Sequence, residues 1–386
     1  VEKHPRRQGP KHLEFIEEIE QWPEERVEKL IADATPGDVD RAIGADILTP
    51  RDLAALLSPH ARARLEDMAQ KARRLTRWHF GRTIGMYAPI YLSNVCTSDC
   101  VYCGFSAKSG LKGKRVTLGL EAIRDECNAL ASHGFQAVLL LTGDAPGVVD
   151  VGYIAEAVAT ARAYFASVSV EVFAMDHKDY VRLCDAGLDG VTLYMETYHK
   201  PTYAKVHLAG KKTDYRYRLG AVERAGEAGA WRLNLGALLG LFDWRFEGFW
   251  EGLHARYLQK KCWQSSVAIS FPRLRNVPER FTISHAVTDT DLVQLVLALR
   301  LFLPEAGLVM STRETPAFRD HLMPLGITQM SAGSSTRPGG YVTYEDQTLE
   351  QFAIEDHRPP EEVVAAIRRA GYDPVWKDFD QAFHHS

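Results

Sequence analysis

Cysteine is scarce in this chain, six residues in 386, far below the density of a disulfide-stapled secreted scaffold; in a reducing compartment a tight group of thiols more often holds metal. No run comes near the ~18 uninterrupted apolar residues of a membrane span. The basic residues 1–11 lack the apolar block of a secretory leader. There is no excess of one charge either: 46 Lys+Arg against 50 Asp+Glu leave a net −4, which argues against a nucleic-acid partner. Neither G-x-G-x-x-G nor G-x-x-x-x-G-K-[ST] occurs, so a Rossmann or P-loop nucleotide cradle has no support. Internal repeats and low-complexity segments are missing as well. What remains, 46% apolar and 25% charged residues, is the profile of an ordinary globular protein. The expected location is the cytoplasm, with no membrane partner.

A chain of 386 residues could hold two or three ordinary domains or one large α/β barrel. Residues 12–80 read as helical: Leu13, Ile16 and Ile19 recur at helical spacing, and Thr49-Pro50 and Ser58-Pro59 have the pattern of an N-cap followed by proline in the first turn. From about residue 87 the texture changes to short apolar, β-branched runs at 87–93, 137–141, 168–173, 190–195, 233–239, 265–271, 307–312 and 326–331. Helical stretches such as 121–133, 152–165, 176–186, 216–228 and 289–303 separate them and supply the crossovers that parallel strands require. Eight such units in about 245 residues match an α/β fold of the closed (β/α)8 TIM type. The expected organisation is an N-terminal helical layer over 1–85, the barrel over 86–344 and a C-terminal extension over 345–386, rich in charge and proline and packed outside the barrel.

The first run leads directly into Asn94-Val95-Cys96-Thr97-Ser98-Asp99-Cys100-Val101-Tyr102-Cys103-Gly104-Phe105. Fully extended, the path from Cys96 to Cys103 would span about 25 Å, so the three thiols can meet one inorganic centre only if the loop wraps around it. The loop falls at the C-terminal end of a barrel strand, where barrel enzymes keep their chemistry. One reading is a zinc site with a fourth ligand elsewhere, although no nearby C-x-x-C or H-x3-H supplies that ligand. The other is a [4Fe–4S] cluster: four thiolates close such a cluster, so three leave one iron open to a small molecule. Cys127, Cys184 and Cys262 instead lie at helical spacing among apolar residues and read as small buried hydrophobes.

A C-x3-C-x2-C loop after the first barrel strand, with the aromatic Tyr102 before its last Cys, resembles the radical S-adenosylmethionine (SAM) superfamily. In that superfamily the open iron binds SAM through its methionine amino and carboxylate groups, and an injected electron releases a 5′-deoxyadenosyl radical. The resemblance runs through most of the chain and points to the 2-iminoacetate synthase family, the tyrosine lyases of bacterial thiamine biosynthesis. It is carried by IYLSNVCTSDCVYCGFS (90–106), ETYHKPTY (196–203), HLAGKKTDYRYRL (207–219), LGALLGL (235–241), SFPRLR (270–275), STRETPAFRD (311–320), RPGGY (337–341) and VWKDFD (375–380). The resemblance implies a lyase whose adenosyl radical takes a hydrogen from the amino group of L-tyrosine. The Cα–Cβ bond then breaks to give 2-iminoacetate (dehydroglycine) and p-cresol. It further implies hand-over of dehydroglycine to thiazole synthase and a flavodoxin or ferredoxin-type reductant. The hydrogenase-maturation relative, which also cleaves tyrosine, carries a C-terminal Cys motif for a second cluster, and no Cys follows Cys262 here. A sister lyase acting on another aromatic amino acid, such as L-tryptophan, is the alternative within the same chemistry.

By resemblance, Cys96, Cys100 and Cys103 hold the cluster and Arg218 pairs the SAM carboxylate, a natural task for a guanidinium fork. Glu171 and Glu196 are carboxylates on otherwise apolar strands, where an unpartnered charge is costly; ribose hydroxyls would partner them, and a salt bridge inside the barrel is the other reading. Gly143 and Asp144 are expected at the SAM amino group, Gly236 against adenine and Tyr102 beside the cluster. For tyrosine, Arg313 is expected to clamp the carboxylate, Ser331 to make a polar contact and Tyr91 to wall the ring pocket. Arg273 and Arg275 are reserve cations, and Lys211-Lys212 reads as a solvated face. Two positions depart from the family pattern: Thr142-Gly143-Asp144 ends in Asp where Glu is usual, and Met195 stands where Gln is expected before Glu196.

Overall fold

The structure is a computed structural model that describes residues 14–275, 277–342 and 348–377. Eight short apolar runs form parallel strands: β1 Thr83–Ser93, β2 Ala137–Thr142, β3 Ser167–Glu171, β4 Gly190–Thr192, β5 Arg232–Gly236, β6 Ser266–Ser270, β7 Gly307–Met310 and β8 Gln329–Ser331. Each pairs with the next, and β1 pairs with both β2 and β8, so the sheet closes on itself. Several strands stop earlier than their apolar runs do. At 193–195 and 237–239 the apolar run continues, largely buried, past the last residue of its strand.

The helix Asp289–Phe302 is buried nearly all round, since one side faces the barrel and the other is covered by the helices Pro50–Leu57 and Leu65–Phe80 of the N-terminal layer. That layer starts as its sequence signals require: the Thr49 hydroxyl accepts from Asp52 N–H, and the Asp52 carboxylate accepts from Thr49 N–H at 2.8 Å. Ser58 differs from expectation. Its hydroxyl donates back to the Ala55 carbonyl at 2.7 Å, so it closes the preceding helix instead of capping the 3-10 turn Pro59–Arg64. The expected helix over 216–228 is split at Gly220 into Tyr215–Leu219 and Ala221–Glu227.

The C-terminal extension does not simply pack outside. Residues 348–356 cross the barrel mouth, with Leu349 N–H donating to Lys114 O, Gln351 N–H to Thr336 O and Glu355 N–H to Thr312 O. A ninth strand, β9 Asp373–Val375, extends the sheet beside the start of β1, opposite Thr83 to Gly85. Of the sequence features noted above, residues 1–13, 345–347 and the end of VWKDFD lie outside the described residues. Among the described residues no helix is long and apolar enough to cross a membrane.

Candidate active site

The three thiols sit in a loop that the rest of the fold clamps from both sides. Arg115 donates to the carbonyls of Asn94, Phe105 and Ser106 at 2.5, 2.8 and 3.0 Å. Arg280 reaches Asp99, the Cys100 carbonyl and Ser106 at 2.7, 3.0 and 2.8 Å. Asn94 ties the loop to the C-terminal strap, donating to the Leu349 carbonyl at 3.0 Å. Between Cys96 and Cys103 the chain wraps around one cavity, and all three thiols line it. Burial pushes each thiol above its ordinary pKa, Cys100 to about 12. Among the described residues no three Cys, His, Asp or Glu side chains converge on a single ion position. Three thiols lining one cavity suit a cubane, which holds its thiolates on separate irons and with three of them leaves the fourth iron open.

Gly143 explains how the second strand's loop meets the Cys loop: a Cβ there would lie 2.1 Å from the Val95 carbonyl oxygen. Beside it the Asp144 carbonyl accepts from both the N–H and the hydroxyl of Thr97, each at 2.8 Å, and Asp144 Oδ2 accepts from Ser98 at 2.8 Å. The second oxygen, Asp144 Oδ1, and the neighbouring Thr142 Oγ1 are buried without partners on the same cavity. Such orphans are costly, and an amino group bound there would satisfy them. The residues present therefore fit a [4Fe–4S] cluster with SAM beside it.

Glu196 follows β4 with a left-handed backbone, φ 71°, unusual for a residue with a side chain. The flanking chain holds it there: Leu238 N–H donates to the Glu196 carbonyl at 2.7 Å, and buried Glu247 accepts from the Thr197 hydroxyl and from Tyr198 N–H. Its carboxylate is met by Lys212 and by Arg218 Nη2 at 3.3 Å. Burial pushes the Glu196 carboxyl up, but these two cations outweigh it and hold the group below the usual range. Lys212 is thus no solvated residue: the turn at Lys211–Thr213 leaves Lys211 exposed but directs the Lys212 side chain into the cavity. Glu196 thus forms the salt bridge inside the barrel.

A second cavity adjoins the first, and Glu171, Tyr194 and Gln351 line both. Here Tyr91 and Ser331 face the lumen with Arg313. The Tyr91 hydroxyl donates to Gln351 Oε1 at 2.6 Å, and the Ser331 hydroxyl accepts from Thr312 N–H at 3.2 Å. The Arg313 guanidinium stacks over the Phe352 ring, 3.3 Å from its centroid, and meets no carboxylate among the described residues. Arg273 and Arg275, in contrast, are both spent on Glu314, with Asp289 also accepting from Arg273.

Two of the expected cofactor residues do not line these cavities, although Tyr102 belongs to the thiol loop. Tyr102 packs among Val206, Leu238 and Leu274, and its hydroxyl donates to His207 Nε2 at 2.8 Å, the other ring nitrogen being committed to the Tyr203 carbonyl. Gly236 backs the Tyr194 ring, which a Cβ would approach to 2.7 Å. Neither lines either cavity at the barrel mouth. Met195 turns into the apolar core, so this departure from the family pattern does not reach the cavity. Sequence reasoning missed Arg115, Arg280, Lys212, Gln351 and Phe352. Arg115 acts on backbone carbonyls, and Arg280, Gln351 and Phe352 come from distant segments, so no local pattern marks them.

Comparison with known proteins gives two matching family models, the Radical SAM superfamily over residues 90–251 and the Biotin and Thiamin Synthesis associated domain over 270–373. The 2-iminoacetate synthases of Salmonella typhimurium and Escherichia coli K12 are each 45% identical over 347 residues, 90% of this chain and 91% of theirs. Among solved structures, HydG, a maturase of the [FeFe]-hydrogenase, superposes with a TM-score of 0.85 at 32% identity, covering 92% of this chain and 80% of its own.

Proposed function

The chain belongs to the 2-iminoacetate synthase family of radical SAM enzymes, and from that premise we propose which residues carry each part of the reaction. The enzyme is a carbon–carbon lyase that cleaves L-tyrosine between Cα and Cβ to 2-iminoacetate and p-cresol for the thiazole of thiamine. Its [4Fe–4S] cluster, with SAM bound, supplies the 5′-deoxyadenosyl radical.

Cys96, Cys100 and Cys103 would hold the cluster. Asp144 Oδ1 and Thr142 Oγ1 would accept from the SAM amino group. Arg218 and Lys212 carry one positive charge more than Glu196 neutralises, which leaves a place for the SAM carboxylate. Arg313 would take the tyrosine carboxylate on both oxygens and so fix the amino nitrogen toward the thiol side. Ser331 would bond the substrate backbone, and Tyr91, with Phe271 that lines the same cavity, would wall its ring. Thiazole synthase as acceptor of the imine, a flavodoxin or ferredoxin-type electron donor, and the cytoplasm, where cluster thiols stay reduced, complete the proposal.

One observation carries this reading: Arg313, which meets no carboxylate among the described residues, faces a cavity that shares a wall with the three-thiol cavity. The test is anaerobic incubation with SAM and a low-potential reductant against tyrosine, tryptophan and phenylalanine, scoring 5′-deoxyadenosine and the released ring product. p-Cresol from tyrosine is expected; a ring product from tryptophan alone would move the enzyme to the sister lyase.

A further inference from the structure

A carboxyl placed between two ligands, with no partner of its own, needs an explanation. Glu171 ends β3 at the wall shared by the two cavities, and among the described residues it accepts no hydrogen bond and forms no ion pair. The charged groups that act on it are Glu196, Arg313, Lys212 and Arg218; the phenols Tyr87, Tyr91 and Tyr194 also feel its charge. Lys212 and Arg218 are engaged by Glu196, and Arg313 meets no carboxylate among the described residues. Of the two glutamates at the thiol cavity, Glu171 is therefore the one left to meet a cation.

We propose that Glu171 is a catalytic base that removes a proton from the ammonium group of the bound amino-acid substrate before its hydrogen atom is abstracted. With the substrate carboxylate on Arg313, the ammonium lies one carbon away, toward the wall that Glu171 forms. In the step one N–H bond breaks, its electron pair stays on nitrogen and the proton moves to a Glu171 carboxylate oxygen. An opposite-charge pair becomes two neutral groups, and no electron changes hands. The transfer is needed because an ammonium nitrogen has no lone pair to stabilise the radical left when a hydrogen atom departs. Burial, followed by the Glu196 charge, raises the Glu171 carboxyl to about 7, so its conjugate base is strong enough for a proton acceptor near neutral pH. This inference rests on the lyase reading.

The test compares the loaded wild type with Glu171→Gln, which keeps a hydrogen-bonding amide but cannot take the proton. For wild type, kcat/KM for tyrosine is expected to rise with pH through an acid limb near 7 and then level. For Glu171→Gln it should fall about 10²–10⁴-fold at pH 7 and climb about tenfold per pH unit, following the free amine of tyrosine in solution. The Kd for SAM, measured without reductant, should stay within about twofold. A near-wild-type, pH-flat profile in the variant overturns the proposal. So does a large rise in the SAM Kd with the tyrosine profile unchanged, which would make Glu171 a ribose contact. Should Glu171→Gln lose its iron, Glu171→Asp must retain an acid limb, and its absence overturns the proposal equally. Wild type that makes deoxyadenosine but no cresol would instead overturn the lyase reading, and the inference with it.

Discussion

On the thiol side of the barrel mouth Glu196 is already met by Lys212 and Arg218, and Asp144 by Ser98. On the aromatic side Arg313 lies on the Phe352 ring and meets no carboxylate among the described residues. The difference is instructive because, in the proposed reading, each side would receive an amino-acid end group. Where charges are paired within the protein, the pocket keeps its shape without a ligand, and a ligand must insert into an existing network. Where a cation is left open, the pocket gains most when a carboxylate arrives, since leaving a desolvated charge alone costs several kcal/mol. The first arrangement suits a cofactor bound in one pose, and the second suits selection of a free amino acid.

The largest effect should come from breaking the thiol side itself. Cys96→Ala, Cys100→Ala and Cys103→Ala should each abolish SAM cleavage and lower the iron and sulfide content. Cys127→Ala, Cys184→Ala and Cys262→Ala should keep both, because those thiols lie on helices, or just beyond the end of one, against the apolar core. A wild-type cluster in Cys100→Ala would remove the basis of the comparison.

Next in size is Arg313→Lys, which keeps the charge and loses the fork. It should leave SAM binding intact, raise the tyrosine KM and cost roughly 2–5 kcal/mol of transition-state binding. Deoxyadenosine should then form in excess over cresol, because a loosely held amine does not meet the radical reliably. Arg273→Lys is the control: its partner Glu314 is buried, so thermal stability should drop while the deoxyadenosine-to-cresol ratio holds. The reverse outcome would place the clamp after β6.

A smaller change is expected from Lys212→Met, which removes one of the two cations on Glu196. The Kd for SAM should rise about tenfold, about 1.4 kcal/mol, with tyrosine binding little altered; equal losses for both ligands would mean that the two sides are not independent. Smallest is Phe352→Leu. Loss of the ring under Arg313 should cost about 0.5–1 kcal/mol, read as a two- to fivefold rise in tyrosine KM at unchanged SAM Kd.

Much of this fold was legible because its signals are local. The eight runs and the crossovers between them carry their periodicity in a few residues each, and Thr49-Pro50 announces its helix within one turn. Strand ends were less legible: apolar character continues past β4 and β5 into the mouth, and whether such a run stays in the sheet depends on its neighbours. The thiol loop stood out by its three closely spaced cysteines, and its resemblance to a known family set the cluster apart from zinc, whereas Lys212 was read as a solvated residue because a Lys-Lys pair in a polar stretch gives no hint of the buried carboxylate it will meet.

Sequence by itself determined the chemistry that a short stretch can hold: three thiols within eight residues, an arginine after the seventh apolar run, carboxylates at the ends of apolar strands. Tertiary structure alone decided which of these charges are spent. Arg273 and Arg275 both pair with Glu314 about forty residues on, and Arg273 also with Asp289, Tyr91 meets Gln351 from 260 residues away, and Phe352 arrives from the same strap to lie under Arg313. The physical reason is that a side chain's charge and hydrogen-bonding capacity belong to the residue, but its partner is set by barrel closure and by the strap across the mouth, which bring together positions that no local pattern relates.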